Sequence, residues 1–73
     1  MKPAKIQPGK KLNIKIPLGD KRVAFFVQRI PASVGGRAIN FLRFPDFEGM
    51  ASPDDKGICQ MSDYDLARRG EYA

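Results

Sequence analysis

The chain contains no histidine and no tryptophan, and it has only one cysteine among its 73 residues. Without histidine it lacks the usual general base, the usual zinc ligand and the usual activator of a serine or cysteine nucleophile. Cys59 cannot form an intrachain disulfide, which is typical of proteins in a reducing compartment. The sequence therefore predicts a protein that is not an enzyme, with no cofactor, no metal and no small-molecule substrate.

Long apolar runs are also absent. The longest is "VAFFV" at residues 23–27, far below the roughly 20 apolar residues that cross a bilayer. No apolar segment of the signal-peptide type follows "MKPAK" at residues 1–5. We therefore expect a cytoplasmic protein that neither enters a membrane nor is secreted.

Acidic residues are scarce in the first 43 positions, where Asp20 is the only carboxylate against ten lysines and arginines. Residues 44–73 reverse this balance, with seven acidic residues against three basic ones. Such a polarised chain indicates an electrostatic contact with an acidic partner, either a nucleic acid or an acidic protein surface.

The chain is long enough for one small hydrophobic core and no more. Residues 1–10 hold two prolines, a glycine and three lysines, which favours a flexible basic arm. Residues 11–73 are expected to form the single domain.

Strand patterns dominate this domain. "KLNIKI" alternates apolar and polar residues, "PLGD" is typical of a tight turn, and "KRVAFFVQRI" is apolar on both faces in its middle, which predicts a central strand. "AINFLRF" and "ICQM" predict a third strand and a short fourth one, separated by an acidic loop that Phe47 and Met50 would anchor.

The C-terminal segment "SDYDLARRG" has the composition of a short helix. Ser62 provides an N-cap, acidic residues follow in the first turn, arginines lie in the last turn, and Gly70 comes after it. Leu66 and Tyr64 would dock this helix on the sheet. The fold class predicted is α+β, mainly β, with a small three- to four-stranded antiparallel sheet and one short C-terminal helix.

Several weaker motifs favour structural roles. The acidic pairs Asp54/Asp55 and Asp63/Asp65 lie in a turn and at a helix N-terminus, where carboxylates are common without binding a metal. "VGGR" lacks the spacing of a phosphate-binding loop. Cys59 has apolar neighbours, which favours a buried or half-buried thiol over a reactive one.

Basic and aromatic residues are the remaining candidates for function. We expect Phe25 and Phe41 in the core, and Phe26 exposed as a contact residue. "RVAFFVQR" matches an RNA-binding consensus only in part. The expected contact patch on the leading hairpin and its neighbours consists of Lys10, Lys11, Lys15, Arg22, Phe26, Arg29, Arg37 and Arg43.

Two functions are compatible with such a patch. One is a protein-binding module that docks on an acidic surface, and the other is a domain that binds single-stranded DNA or RNA through phosphates and stacked bases. The acidic C-terminal third favours the first, because a phosphate backbone repels every carboxylate whereas a protein partner can present both signs.

Taken whole, the chain resembles the small early regulators with which lytic bacteriophages bind host RNA polymerase. The resemblance rests on length, a single domain, the basic hairpin "KKLNIKIPLGDKRVAFFVQRI", one cysteine and the lack of catalytic groups. It implies a non-enzymatic regulator in the host bacterial cytoplasm that binds a polymerase subunit and interferes with the promoter-specificity factor. An effect on transcription termination is a further expectation from the same resemblance.

Overall fold

A computed structural model describes all 73 residues as a mainly β domain with one short helix near the C-terminus, which confirms the predicted fold class. The strands are β1 (Lys11–Lys15), β2 (Lys21–Ile30), β3 (Ile39–Arg43), β4 (Ile58–Ser62) and β5 (Gly70–Tyr72). The α-helix α1 spans Asp63–Arg69, and two short 3-10 turns span Pro3–Lys5 and Pro45–Phe47.

All five strands form one antiparallel sheet in the order β4-β3-β2-β1-β5, with β2 in the centre as predicted. The predicted turn at residues 17–20 joins β1 to β2. It is closed by Ile16, whose backbone N–H donates to the carbonyl of Asp20 at 2.8 Å. Gly19 has φ +94°, a conformation that favours glycine.

The sheet has five strands rather than three to four because the chain continues past α1 along the free edge of β1. α1 thus connects the two edge strands of the sheet. Seven helical residues span only about 10 Å, whereas the edge strands of a flat five-stranded sheet lie about 19 Å apart. The sheet is therefore curled, and its concave face lies beneath the helix.

The hydrophobic core fills this concave face. It consists of Ile6, Leu12, Ile14, Ala24, Phe26, Leu42, Phe44 and Leu66. Phe26 is only 3% exposed, so the prediction of an exposed ring at this position is wrong. Phe25 and Phe41 are half-buried on the other face of the sheet, so their assignment to the core is also wrong.

A β-bulge in β2 determines which side chains share a face. The register with β3 shifts between Phe26 and Gln28, so that Phe26 pairs with Leu42 and Gln28 pairs with Phe41. Val27 is the additional residue of the bulge. Each side chain after it lies on the face opposite to the one that strict alternation along the strand would give it. As a consequence Arg29 lies on the concave face and Ile30 on the convex face.

Residues 1–10 differ from the predicted arm outside the domain. Ile6 is buried in the core, and Met1 packs against the same cluster. The backbone N–H of Gly9 donates to the carbonyl of Phe26 at 2.7 Å, and the carbonyl of Lys10 accepts from the N–H of Phe26 at 3.0 Å. This segment is part of the domain because Ile6 and Met1 supply apolar surface that covers the core.

The helix begins as the sequence predicts, since the Ser62 hydroxyl accepts a hydrogen bond from the N–H of Asp65 at 3.1 Å. Leu66 is fully buried, but Tyr64 is 72% exposed and does not dock on the sheet. Gly70 is extended rather than left-handed. It admits a close approach, because a Cβ there would lie 2.8 Å from the Leu66 carbonyl oxygen.

Of the two residues predicted to anchor the loop between β3 and β4, only Phe47 packs against the rest of the domain. The Phe47 ring stacks on Phe44 with 5.0 Å between centroids, whereas Met50 is 73% exposed. No helix of the structure is both long and apolar enough to cross a membrane.

Candidate functional site on the uncovered face of the sheet

One face of the sheet is covered by no other part of the chain. The elements outside the sheet pack on the concave face, where Met1, Ile6, Phe47 and Leu66 meet the core. The convex face, called the open face below, carries Lys11, Asn13, Lys15, Lys21, Val23, Phe25, Gln28, Ile30, Ile39, Phe41, Arg43, Ile58, Gln60 and Glu71.

A row of cations and an aromatic ring crosses the middle of the open face. Lys11 lies opposite Phe25 on β2, and Phe25 lies opposite Arg43 on β3. The Arg43 guanidinium carbon is 4.9 Å from the centroid of the Phe25 ring, within the range of a cation–π contact. This contact holds the guanidinium over the ring on the open face.

Apolar side chains extend from this row towards β4. Ile58 follows Arg43 in the same row and is 47% exposed, and Ile30 at the end of β2 is 48% exposed. Phe41 and Ile39 lie between them on β3 and are half-buried. An exposed set of neighbouring apolar side chains is a feature that small monomeric domains usually avoid outside binding sites.

Charge on the open face is almost entirely positive. Glu71 is its only carboxylate, and Glu71 forms an ion pair with Lys21. The three remaining cations, Lys11, Lys15 and Arg43, have no carboxylate within 4.0 Å. We call these three residues the basic strip.

Arg29, a predicted contact residue, is instead part of a polar cluster on the concave face. Its Nη2 lies 2.7 Å from Asp63 Oδ2 and its Nε 3.1 Å from Asp63 Oδ1. Asn40, which is fully buried, donates to Asp63 Oδ1 at 2.8 Å and to the Met61 carbonyl at 3.1 Å. The cluster joins β2 and β3 to the start of α1.

Hydrogen bonds in this cluster shift the titration of both ionised partners. The hydrogen bonds from Arg29, and then the one from Asn40, lower the pKa of Asp63 below its ordinary value. The hydrogen bond to Asp63 raises the pKa of Arg29. Both groups remain charged near neutral pH, so Arg29 supports the fold rather than presenting a cation to a partner.

Arg22 also lies on the concave side, opposite Ile14 in the register of β1 and β2. Its guanidinium nitrogens lie 3.4 Å from Asp46 Oδ2 and 3.8 Å from Asp20 Oδ2. The single patch expected from the sequence therefore does not form. Arg22 and Arg29 face away from the basic strip and are paired with the protein's own carboxylates, and Phe26 is buried.

Two other predicted residues lie at the margins. The Lys10 ammonium is 5.4 Å from the centroid of the Tyr72 ring at the β5 edge. Arg37 is exposed in the loop before β3 and lines a shallow depression together with Ile39 and Gln60 of the open face. Of the eight predicted residues, the structure thus brings Lys11, Lys15 and Arg43 together on one surface.

Sequence reasoning missed the apolar part of the open face. The positions of Lys11 and Lys15 could have revealed it. These lysines lie on the solvent side of β1, and residues paired across two strands lie on the same face, so Phe25, which pairs with Lys11, must lie on the solvent side as well. Asn40 was also missed, since its sequence neighbours give no sign that it is buried. Cys59 is half-buried against the core, as predicted.

The side chains offer no obvious metal centre, since no three of the cysteine, aspartate and glutamate residues come together in a group that could hold an ion. Comparisons with known proteins found no family model, no curated protein and no solved structure that matches the chain.

Proposed function

We propose that this protein acts by binding rather than by catalysis, and that its open face docks on an acidic protein surface. The observation that carries the proposal is the placement of the basic strip. Three cations without carboxylate partners share the face that no other part of the chain covers, and one of them, Arg43, lies beside the exposed Ile58. Protein interfaces commonly combine apolar and polar side chains, with arginine enriched among them.

The cations of the open face have few carboxylates near them, which favours a role in recognition. Lys15 lies directly opposite Lys21 on β1 and β2, and only Glu71, which pairs with Lys21, offsets the repulsion between these like charges. Two other arginines are neutralised by ion pairs on the concave face. Apart from Glu71, which is paired with Lys21, the carboxylates lie off the open face, in turns, in loops and on α1.

The apolar composition of the open face favours a protein over a nucleic acid. Four of its six apolar side chains are aliphatic, namely Val23, Ile30, Ile39 and Ile58, and only Phe25 and Phe41 are aromatic. Aliphatic groups pack well against a protein, whereas bases bind chiefly to aromatic rings and guanidinium groups.

The resemblance to phage regulators suggests bacterial RNA polymerase as the partner. In that proposal the open face binds an acidic region of a polymerase subunit, in the bacterial cytoplasm, and interferes with the promoter-specificity factor. Electrostatic attraction between the two surfaces would accelerate association, and this acceleration would weaken at high salt.

A binding measurement with purified polymerase tests the proposal. We expect the immobilised protein to retain bacterial core RNA polymerase after nuclease treatment, and retention to fall when Lys11 and Lys15 are both changed to Glu. The absence of any complex at low salt would reject polymerase as the partner. Retention that disappears with nuclease would reject a protein contact in favour of a nucleic-acid bridge.

Single-stranded nucleic acid is a second candidate, and the row of Lys11, Phe25 and Arg43 is the observation that favours it. A base could stack on the Phe25 ring in place of the Arg43 guanidinium, while the two cations bind phosphates. Titration with oligonucleotides at several salt concentrations tests this candidate. A slope of log K against log salt near −1.4, about 0.7 for each of the two phosphate contacts, would support this candidate.

A further inference from the structure

The two edges of the sheet differ in how they are protected against further pairing. β5 has three residues and carries Glu71, and short or charged edge strands resist added partners. β4 has five residues, "ICQMS", with no charged residue and no proline. By these criteria β4 is an unprotected edge, of the kind that accepts another strand.

The backbone groups that β4 presents at this edge follow from its register with β3. The N–H of Phe44 donates to the carbonyl of Gly57 at 2.8 Å, so hydrogen-bonded pairs recur at every second residue from there. Leu42–Cys59 and Asn40–Met61 are such pairs. The N–H and C=O groups of Ile58 and Gln60, and the N–H of Ser62, therefore point away from the sheet.

We propose that β4 pairs antiparallel with β4 of a second copy of this chain, about a twofold axis at Gln60. In this register the N–H of each Gln60 donates to the carbonyl of Gln60 in the other copy. The N–H of each Ser62 donates to the carbonyl of Ile58 in the other copy. Four hydrogen bonds form, and they use the groups that the structure leaves unpaired at this edge.

Self-complementarity favours a second copy over an unrelated peptide. In the same register Cys59 lies opposite Met61 of the second copy, so that apolar side chains meet on the concave side. No two like charges face each other within the paired segment, although each chain carries a net charge of +5.

Pairing at β4 would join the two open faces into one ten-stranded surface. Ile58 of each copy would lie beside the twofold axis, with the two basic strips on either side. The inference does not depend on the proposed function, because the unprotected edge and its backbone groups exist whatever the open face binds.

Disulfide trapping tests the register directly. Cys59 and residue 61 of the second copy would form a non-hydrogen-bonded pair, whose short Cα–Cα distance is suitable for a disulfide. With oxidised glutathione, Met61→Cys should give a covalent dimer of twice the 8.1 kDa chain mass. The unchanged chain, and a Tyr72→Cys control at the other edge, should crosslink at least tenfold more slowly. Equal crosslinking of all three chains, or none with Met61→Cys, would overturn the proposal.

Sedimentation of two charge variants gives an independent test that needs no cysteine. Gln60→Glu and Gln60→Lys place like charges across the twofold axis, so each variant alone should be monomeric at concentrations where the unchanged chain dimerises. A mixture of the two variants should dimerise again, because the opposed charges then attract. A monomeric unchanged chain at about 1 mM, the weak limit of specific association, would overturn the proposal. So would dimers that persist in both separate variants.

Discussion

Adjacent phenylalanines on β2 provide a sharp test of how the sheet is oriented. Phe26 is buried in the core and 3% exposed, whereas Phe25 lies on the open face and is half-buried. The same substitution at each position therefore compares the loss of stability on the buried face of the sheet with the loss on the open face. Phe26→Ala should cost about 3–5 kcal/mol, since it removes a buried ring and leaves a cavity.

Such a loss is comparable with the whole stability of the domain. For 73 residues the free energy of unfolding is expected to be about 4–11 kcal/mol, so Phe26→Ala would leave the domain marginal or unfolded. Phe26→Leu is the more informative change, with an expected cost of roughly 1–2 kcal/mol. Phe25→Leu should cost about 0.5 kcal/mol or less, because the open face allows the shorter side chain to be solvated.

Urea unfolding followed by far-ultraviolet circular dichroism measures these differences. With a slope of about 1 kcal/mol per molar urea for a domain of this size, Phe26→Leu should lower the midpoint by about 1–2 M. Phe25→Leu should leave it within about 0.5 M of the native chain. Equal losses for the two variants, or a larger loss for Phe25→Leu, would refute the assignment of Phe26 to the core and Phe25 to the open face.

Other predictions concern single contacts. Because the pKa of Asp63 is lowered in the folded state, its ionic contribution is complete above about pH 4, its unfolded value, and is lost as pH falls through the folded pKa. Asp63→Asn should therefore reduce the free energy of unfolding at pH 7 by about 1 kcal/mol, a small figure because the side chain is 38% exposed. A difference from the native chain that does not shrink as pH falls below about 4 would contradict this account. Gly57→Ala should lower stability by more than about 2 kcal/mol, since its Cβ would lie 2.4 Å from the Phe44 carbonyl oxygen. The control Gly35→Ala has a similar φ and open space around it, so a thermal melt should show a loss of only about 1 kcal/mol, and equal losses would rule out the close contact as the cause. Ser62→Ala removes the helix N-cap and should cost about 1 kcal/mol, whereas an unchanged melting temperature would show that the cap does not contribute.

Much of the fold follows from local patterns. The alternation of Leu12 and Ile14 identifies β1 and its buried side, and the doubly apolar middle of residues 21–30 identifies the central strand. Ser62 identifies the start of α1 through its side-chain cap. Each of these signals depends only on residues within one element, and the structure agrees with all of them.

The errors have a different physical origin, since each involves a relation between distant segments. A bulge at Val27 reverses which face Arg29 and Ile30 occupy, and no local preference in the sequence indicates it. Phe25 and Phe26 have the same side chain, so only the pairing of β2 with its neighbours decides which ring is buried. Polarity alone had suggested that Phe26 was exposed, because Arg22 and Gln28 lie near it in the sequence.

The candidate site was predictable to the extent that it depends on β1. Lys11 and Lys15 alternate with buried residues, and this alternation places both on the solvent side. The sequence did not show that Arg22 and Arg29, unlike these two lysines, form ion pairs within the protein. Their carboxylate partners Asp46 and Asp63 lie far away in the sequence. Counting charges along a chain does not distinguish a solvent-exposed cation from one that forms an ion pair with a carboxylate of the same protein.

The most direct test of the central claim compares two double charge reversals in a titration against purified bacterial RNA polymerase. Lys11→Glu with Lys15→Glu alters the basic strip, and Lys5→Glu with Lys56→Glu removes equal charge from exposed positions outside the open face. Both double variants should keep their thermal stability within about 0.5 kcal/mol. We predict that the first loses at least tenfold in affinity, which is about 1.4 kcal/mol, while the second stays within about threefold of the native chain. Equal affinity losses in the two variants, or no loss in the first, would contradict recognition through the open face.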